Sequence, residues 1–363
     1  MYKARPTILS KAKKLNKYQA GFTNRVKYIG FISTLKEFIE YNIFYYKLFK
    51  FNNVKLDIRS ILVHVSFYTK ITRLIAHIPK GKVIYYIPPT ITTKVYQKNN
   101  IDINIVPTDK YYMYQIFKSM GLNIPEIYCV TDENNKIIYG DISNYKLAFN
   151  YNKVVAKSRY THGGIGMELH HKVQELKPNY IYQKYVENNR KILEVQRNKY
   201  SSTVRIAIYN EKGKPDIIGA YIRFNSGTVA DHATYGSICA NIDIRNGIII
   251  SDGYDALGNE YKNHPLSNTK FKGFEVPNWQ KCLRAVSIIC ENYSTLPLIG
   301  ADIVVTENDY CLLEINAGFA VNELQKQNGL LTHNFVMSEY KIPEYLKNKY
   351  KISDTGYSQV LDN

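Results

Sequence analysis

The sequence GADIVVTENDYCLLEIN, residues 300–316, contains the pattern from which we infer the fold: two apolar runs separated by a polar segment. Apolar residues dominate both of its ends, and the polar segment 307–309 between them is typical of a tight turn joining two antiparallel strands. Because side chains alternate between the two faces of a strand, Asp302, Glu314 and Asn316 are expected to share one face. The segment therefore predicts a patch of oxygen-bearing side chains on an otherwise apolar strand pair.

Two interpretations of this polar patch are open. Mg²⁺ prefers carboxylate and amide oxygens together with nucleotide phosphates, so Asp302, Glu314 and Asn316 could form a metal site. One or two Mg²⁺ ions fit such a ligand set, and Mn²⁺ is an alternative. In the other interpretation, the two carboxylates pair with Arg or Lys across the sheet. The spacing of Glu314 and Asn316 favours metal binding, since buried carboxylates without a cation would be costly.

Upstream segments predict a mixed fold. Asp109 favours the start of a helix and Gly121 its end. A second helix is expected at 279–293, and a short one before Tyr180. Further strands are predicted at 82–87, 126–130, 137–139, 153–157, 180–186, 202–209 and 217–224. This mixture predicts an α+β core of two lobes.

A glycine-rich loop follows the predicted strand 153–157. Gly163, Gly164 and Gly166 would let backbone amides approach a phosphate group closely, and Lys157 could reach the same group. The spacing does not match the P-loop pattern, because no Lys-Ser/Thr pair follows the glycines. An ordinary turn is the alternative interpretation.

Two arginines lie on the two strands of a predicted hairpin. Arg205 lies in the run 202–209 and Arg223 in the run 217–224, with a turn at 210–213 between them. Guanidinium groups match the oxygens of a phosphate or an acyl phosphate. A charge on an exposed strand face is the alternative, and it is less attractive for Arg205, which is embedded in the run TVRIAI.

The composition indicates a folded protein with an anionic partner. The chain has 363 residues, of which 45% are hydrophobic and 22% charged, and this excludes a disordered chain. The net charge of +17 favours a nucleotide, an acidic saccharide, a lipid head group or a nucleic acid. Nucleic acid has the least support, because the sequence contains neither a helix-turn-helix pattern nor a zinc finger.

Basic residues are concentrated near the N-terminus. Lys and Arg are frequent among the first thirty residues, where a solvated arm and a contact with an anionic membrane or polymer are the two interpretations. A helix is predicted by five apolar residues at near-helical spacing: Leu35, Phe38, Ile39, Ile43 and Phe44. We assign no chemistry to residues 1–105.

The cysteines and the apolar segments predict the location of the protein. Five cysteines occur without a CxxC pair, and Cys129 and Cys311 lie in apolar runs, which predicts buried thiols and a reducing compartment. No apolar stretch approaches the ~20 residues needed to span a bilayer, and the N-terminus lacks a secretory signal. A cytoplasmic location is expected, at the inner membrane face if the N-terminus binds lipid.

The order of these pieces resembles the ATP-grasp superfamily, and most closely its sugar-transfer-associated branch. The resemblance covers about residues 105–330. It rests on short motifs in a specific order: Asp109-Lys110, Lys157 before Gly163-Gly164-Ile165-Gly166, Tyr182-Gln183-Lys184-Tyr185-Val186, Ser202-Thr203-Val204-Arg205-Ile206, Tyr221-Ile222-Arg223-Phe224, His264-Pro265, Val276-Pro277-Asn278-Trp279, Gly300-Ala301-Asp302-Ile303 and Leu313-Glu314-Ile315-Asn316.

The resemblance implies an ATP-grasp fold of two α+β lobes gripping ATP, with an extra basic N-terminal lobe. Arg205 and Arg223 would be catalytic and would hold the γ-phosphate and an acyl phosphate. Asp302, Glu314 and Asn316 would bind Mg²⁺. The residues that would contact the ATP phosphates, cover them as a lid or frame the adenine are Lys110, Lys157, Gly163, Gly164, Gly166, Gln183, Lys184 and Val186.

The implied activity is that of a carboxylate-amine ligase. ATP would convert a carboxylate into an acyl phosphate, and an amine would capture it as an amide. The name of the branch implies a sugar acid in the synthesis of surface polysaccharide. Two alternatives are an ATP-grasp kinase that acts on a sugar-type hydroxyl and a non-catalytic nucleotide-binding module.

The sequence departs from the pattern of the branch on the substrate side. Val229-Ala230-Asp231-His232 and Gly236-Ser237 stand where Val-Asp-Asn and a Gly-Gly pair are expected, so Asp231 and His232 are candidates there. The predicted domains are a basic lobe at 1–105, a central lobe with the lid at 106–186, a C-terminal lobe with the metal site at 187–335, and a tail at 336–363.

Overall fold

The computed structural model describes residues 22–55, 68, 71–72, 78, 80–98, 108–150, 153–161, 164–229, 236–256, 258–319, 321–326 and 329–352. The chain divides into two compact units. The sheet unit comprises residues 100–256 and 260–319, and the helical unit comprises residues 1–99, 257–259 and 320–363. The lobe boundaries inferred from the sequence stay predictions.

Helices occur in both units. Those whose bounds fall within the described residues are α1 (Phe31–Phe51), α2 (Pro89–Lys98), α3 (Lys110–Ser119), α4 (Ile142–Ala148), α5 (Arg190–Gln196), α6 (Trp279–Asn292), α7 (Asn334–Met337) and α8 (Glu344–Tyr350), and residues 22–29 are helical as well. The start of α3 is as predicted, because the Asp109 side chain accepts a hydrogen bond of 2.9 Å from the backbone N–H of Tyr111. Gly121 follows its end with a φ of 71°.

Helix α1 confirms the helix predicted in the N-terminal segment but buries a different face. Tyr41 and Tyr45 are fully buried, whereas Leu35, Ile39 and Ile43 are exposed. The tyrosine hydroxyls make this possible, because they donate to backbone carbonyls, Tyr41 to Tyr86 at 3.0 Å and Tyr45 to Ile84 at 2.6 Å. A buried tyrosine with a hydrogen-bonded hydroxyl is as compatible with a core as an aliphatic residue.

The strand predicted at 82–87 is wrong. Val83–Tyr85 form a 3₁₀ helix, and the following residues are extended but join no sheet. The backbone of Ile87 pairs instead with the side chain of Gln325, its N–H donating at 2.7 Å and its carbonyl accepting at 3.2 Å. Side chains therefore satisfy backbone groups that a neighbouring strand would otherwise pair with.

The first sheet of the sheet unit has five antiparallel strands. They are β1 (Ile127–Thr131), β2 (Ile137–Gly140), β3 (Val154–Ser158), β4 (Glu168–His170) and β5 (Tyr180–Lys184), in the order β2-β1-β5-β3-β4. The prediction of a short helix before Tyr180 is wrong, since β4 occupies part of that segment and pairs with β3. His170 at the end of β4 is buried opposite Val154.

The second sheet has seven antiparallel strands. They are β6 (Thr203–Glu211), β7 (Lys214–Phe224), β8 (Ile238–Ile242), β9 (Gly253–Tyr254), β10 (Glu260–Tyr261), β11 (Leu298–Val305) and β12 (Tyr310–Asn316), in the order β10-β9-β8-β7-β6-β11-β12. The hairpins β6–β7 and β11–β12 match the sequence prediction, whereas β8 to β10 were not predicted. Helix α6 packs its apolar face against this sheet, and the opposite face is left for polar side chains.

The core confirms the prediction of buried thiols. All five cysteines are buried, including Cys129 on β1 and Cys311 on β12. The α+β class predicted from the sequence is likewise confirmed by the two antiparallel sheets with their packed helices.

The end of β2 provides a test of backbone packing. Gly140 has a φ of 68°, and a Cβ atom there would overlap the carbonyl group of Tyr128. Gly121 has a similar φ of 71° but open space around it. Gly140→Ala should therefore lower the free energy of unfolding by about 1–3 kcal/mol more than Gly121→Ala, because it adds overpacking to the same backbone strain. Equal losses in urea denaturation would contradict this packing.

Candidate functional site

A buried cluster of one carboxylate and two guanidinium groups lies on the polar face of the second sheet. Asp302 on β11 is directly opposite Arg205 on β6, so the two side chains share one face. Arg205 Nε and Nη2 donate to Asp302 Oδ1 and Oδ2 at 2.7 and 2.6 Å. Arg223 Nη2 donates to Asp302 Oδ1 at 2.9 Å. We call Arg205, Arg223 and Asp302 the ion cluster.

Strand register explains why Arg223 reaches the ion cluster from a third strand. Arg223 on β7 lies opposite Thr203 on β6, two residues before Arg205 and hence on the same face. Its Nε donates to Thr203 Oγ1 at 3.1 Å, which fixes the guanidinium plane. Three neighbouring strands thus contribute one charged side chain each.

The ion cluster keeps Asp302 ionised. Burial by itself raises the pKa of this carboxyl group, but the positive charges of Arg205 and Arg223 outweigh burial and lower the pKa to about 2. Asp302 therefore makes the contacts expected in the second interpretation of the polar patch, in which carboxylates pair with basic side chains across the sheet. Its role as a metal ligand stays a prediction.

Glu314 and Asn316 lie beside the ion cluster on β12. Glu314 is directly opposite Asp302, and Asn316 Nδ2 is 3.3 Å from both Asp302 Oδ2 and Glu314 Oε1. The structure therefore brings together the three side chains proposed as metal ligands. No group of three or more His, Cys, Asp or Glu side chains in the described part of the chain is arranged to hold a metal ion, so any metal here would need the Asn316 amide as its third donor.

Two lysines on the first sheet and its helix α3 face Glu314. Burial lowers the pKa of Lys157 to about 8, and the negative charge of Glu314 opposes this shift. Burial also lowers the pKa of Lys110, against the charges of Glu314 and Asp109. Lys157 Nζ donates to the hydroxyl of Tyr114. The site thus combines two lysines from α3 and β3 with the arginines and carboxylates of the second sheet.

A second buried ion pair holds the two lysine-bearing elements together. Arg159 Nε donates to Asp109 Oδ1 at 3.2 Å, Nη2 donates to Oδ2, and Nη1 donates to the Thr131 carbonyl at 3.0 Å. The backbone N–H of Lys110 donates to the Arg159 carbonyl at 3.1 Å. Asp109 thus caps α3 and anchors β3 at once, which fixes Lys110 relative to Lys157.

A cavity of about 720 Å³ lies where β5 ends. Lys184 and Val186, two of the three residues proposed to frame an adenine, line it together with Cys311 on β12. Gln183 is buried on β5 and does not line the cavity; its Oε1 has no hydrogen-bond partner among the described residues. The volume is in the range of small-molecule sites.

The glycine-rich loop is described in part. Gly164 and Gly166 form a turn with φ of 75° and 73°, and the Thr161 hydroxyl donates to the Ile165 carbonyl at 2.6 Å to close it. Lys110 Nζ donates to the Thr161 carbonyl, so the loop starts at one of the lysines of the site. The candidates Gly163, Asp231 and His232 lie outside the described residues.

Sequence reasoning missed several contributors to the site. Asp109 was identified as a helix start but not as the partner of Arg159, and neither Tyr114 nor Thr203 was singled out. Arg159 is two residues after Lys157, directly beyond the end of β3, and this short separation is the pattern that could have indicated its proximity. The remaining partners are far apart in the sequence.

Comparison with known families identifies the fold. Residues 171–336 match the model of a family described as sugar-transfer associated ATP-grasp. This match confirms the resemblance inferred from the sequence motifs and, with the two sheets described above, the ATP-grasp fold. No curated protein matches the sequence significantly.

The solved structures that match this chain are distant in sequence. N5-carboxyaminoimidazole ribonucleotide synthetase from Thermotoga maritima is 13% identical, with a TM-score of 0.35 over 64% of this chain and 49% of its own. Biotin carboxylase from Campylobacter jejuni is 11% identical, with a TM-score of 0.41 over 72% and 51%. D-alanine–D-alanine ligase from Bacillus anthracis is 11% identical, with a TM-score of 0.37 over 68% and 69%. The chain thus spans about half the length of the first two.

The ion cluster makes a prediction about stability. Asp302→Asn removes the carboxylate to which both buried guanidinium groups donate, so it should lower the free energy of unfolding by about 3–5 kcal/mol at pH 7. The folded pKa of about 2 lies below the ordinary 3.8, so the contribution of Asp302 is complete above pH 4 and is lost as the pH falls towards 2. Urea denaturation at pH 7 and pH 3 measures both effects.

Glu194→Gln provides the matched control. Glu194 forms an exposed ion pair with Arg190 one helical turn away, and such pairs contribute about 0–1 kcal/mol. A loss for Asp302→Asn no larger than that for Glu194→Gln would contradict the role of the ion cluster.

Proposed function

We propose that this chain is an ATP-dependent ligase that joins a carboxylate to an amine through an acyl phosphate. One observation carries the proposal. Four cationic side chains interact with the carboxylates of Asp302 and Glu314, and they come from helix α3 (Lys110) and from the two sheets (Lys157, Arg205 and Arg223). The site therefore has an excess of two positive charges, which suits a polyanion such as the triphosphate of ATP.

The arrangement supports one orientation of the nucleotide. The base would occupy the cavity next to Lys184 and Val186. The buried Gln183 Oε1 precedes these residues in the sequence and has no hydrogen-bond partner in the part of the chain that the structure describes. The triphosphate would then extend along Lys157 and Lys110. The turn at Gly164 and Gly166 starts beside Lys110 and would cover the phosphates with its backbone amides.

The polar patch fits a hard divalent cation. The donors are two carboxylates and one amide oxygen, the chemistry that Mg²⁺ and Mn²⁺ prefer, and the Asn316 amide group lies within hydrogen-bonding distance of both Asp302 and Glu314. When bound with ATP, Mg²⁺ would neutralise charge on the phosphate oxygens. Because Asp302 is also the partner of two arginines, Glu314 and Asn316 are the ligands with the fewest competing contacts.

The proposed chemistry has two steps. An oxygen of the substrate carboxylate attacks the γ-phosphorus of ATP, the bond to the β,γ-bridging oxygen breaks, and ADP leaves. The amine nitrogen then attacks the acyl carbon, the carbon–oxygen bond to phosphate breaks, and the nitrogen loses a proton to give the amide. Arg205 and Arg223 would stabilise the negative charge that develops on the transferring phosphoryl group in the first step and on the acyl phosphate in the second.

The substrate class is proposed as a sugar acid in surface-polysaccharide synthesis. The family description supports this, because it links the matched residues 171–336 to sugar transfer. The net charge of +17 is compatible with an acidic saccharide.

Lys157 makes a prediction about pH. With a pKa of about 8 it loses its charge as the pH rises through 8, so kcat/KM for ATP should fall about tenfold per pH unit above that value. Lys157→Arg keeps the charge and should remove the fall, even if it lowers kcat/KM. The control variant Lys118→Arg replaces an exposed lysine near the C-terminal end of α3 and should show the same fall in kcat/KM as the wild type. The same fall in Lys157→Arg would show that another group titrates.

The activity itself is tested by phosphate release from Mg-ATP. Uronic acids, amino acids and their pairs serve as substrates, and Glu314→Gln serves as the blank. We expect release that requires both a carboxylate and an amine and that falls at least about a hundredfold in Glu314→Gln. Glu291→Gln, an exposed change on α6, is the matched control and should be fully active.

Other outcomes distinguish the alternatives. A phosphorylated hydroxyl formed without an amine would replace the ligase with a kinase. ATP binding without turnover on any pair would support a nucleotide-binding module. Equal release by the wild type and Glu314→Gln would contradict the proposed site.

A further inference from the structure

Helix α1 in the helical unit exposes a line of large apolar side chains. Ile32 is 82% exposed, Leu35 42%, Ile39 47%, Ile43 41% and Tyr46 53%. Their spacing of three or four residues places them on one face of the helix. We call these five residues the apolar stripe.

The apolar stripe is distinct from the face that α1 buries. Thr34, Tyr41, Phe44, Tyr45 and Leu48 are all fully buried on the other side of the helix. Single exposed apolar residues are normal, but an uninterrupted line of five on one helix is typical of a surface that binds a partner or a membrane.

The charges around the apolar stripe indicate an anionic partner. Lys36 and Lys47 are exposed on one margin of the stripe, and Lys50 is exposed at its C-terminal end. The two acidic residues of α1 do not offset them, since Glu37 is buried in an ion pair with Arg25 and Glu40 is only partly exposed. Arg25, one of the basic residues of the N-terminal segment, is thereby not solvated but part of the core.

The length and composition of α1 determine how it would contact a membrane. With 21 residues it is about 31 Å long, but it carries three lysines and two glutamates. None of the helices in the described residues combines the length and apolar composition needed to cross a bilayer. An amphipathic helix of this kind lies in the plane of the membrane surface, with its apolar side chains among the acyl chains and its lysines at the head groups.

We propose that the apolar stripe of α1 docks on a lipid surface that carries anionic head groups. A second copy of the chain fits less well, because a symmetric contact would bring both sets of lysines into one interface with only Glu40 to offset them. A lipid surface matches both features, since it offers an apolar layer and a negative charge along the full length of the helix.

The test is co-sedimentation of the full chain with vesicles. Vesicles of phosphatidylcholine alone are compared with vesicles that also contain phosphatidylglycerol. We expect binding to the anionic vesicles and little to the neutral ones. Binding should weaken about fivefold for each lysine removed by the substitutions Lys36→Gln, Lys47→Gln and Lys50→Gln. Added salt should also weaken binding.

The apolar contribution is tested separately. The double variant Ile39→Ser and Ile43→Ser should reduce partitioning by at least about tenfold, whereas Leu147→Ser, at a residue 56% exposed on α4 of the sheet unit, should leave it unchanged. Circular dichroism checks that each variant is folded. The assay contains no ATP, so its result is independent of the proposed ligase activity.

Three results would overturn the proposal. The first is equal binding to neutral and anionic vesicles, and the second is full binding by the Ile39→Ser, Ile43→Ser variant. The third is a dimer in light scattering that the same double variant converts to a monomer, which would assign the apolar stripe to a second copy of the chain.

Discussion

One buried carboxylate holds the polar face of the sheet unit together. Asp302 on β11 is bonded to Arg205 on β6 and Arg223 on β7, at 2.6–2.9 Å. A buried charge is stable only with its counter-charge, so a slip in the register of any of these strands would leave a charge unpaired. The strand order and the chemistry of the site therefore depend on the same contacts.

Helix α3 and both sheets contribute charged side chains to one site. Lys110 and Lys157 come from α3 and β3, and the buried ion pair of Asp109 with Arg159 fixes these two elements relative to each other. The negative charge of Glu314 on β12 opposes the fall in the pKa of both lysines, and for Lys110 the charge of Asp109 acts in the same direction. A polyanion bound beside Lys110 and Lys157 would raise their pKa values and keep both lysines protonated. This effect is the electrostatic basis of the proposed nucleotide site.

The sequence predicted local features better than distant contacts. The alternation in β11 and β12 correctly placed Asp302, Glu314 and Asn316 on one face, because strand geometry repeats every two residues. It could not show that Asp302 pairs with two arginines 97 and 79 residues away, since that depends on the order β7-β6-β11.

Burial was also hard to predict. The run 82–87 has a strand-like composition, yet its backbone pairs with side chains of Tyr41, Tyr45 and Gln325.

The proposed function requires that the site binds the triphosphate of ATP. Calorimetric titration with a non-hydrolysable ATP analogue and Mg²⁺ measures this binding directly. We predict saturable one-to-one binding that weakens at least about tenfold without Mg²⁺ and in Lys157→Met. No saturable binding, or equal affinity in Lys157→Met, would contradict the claim.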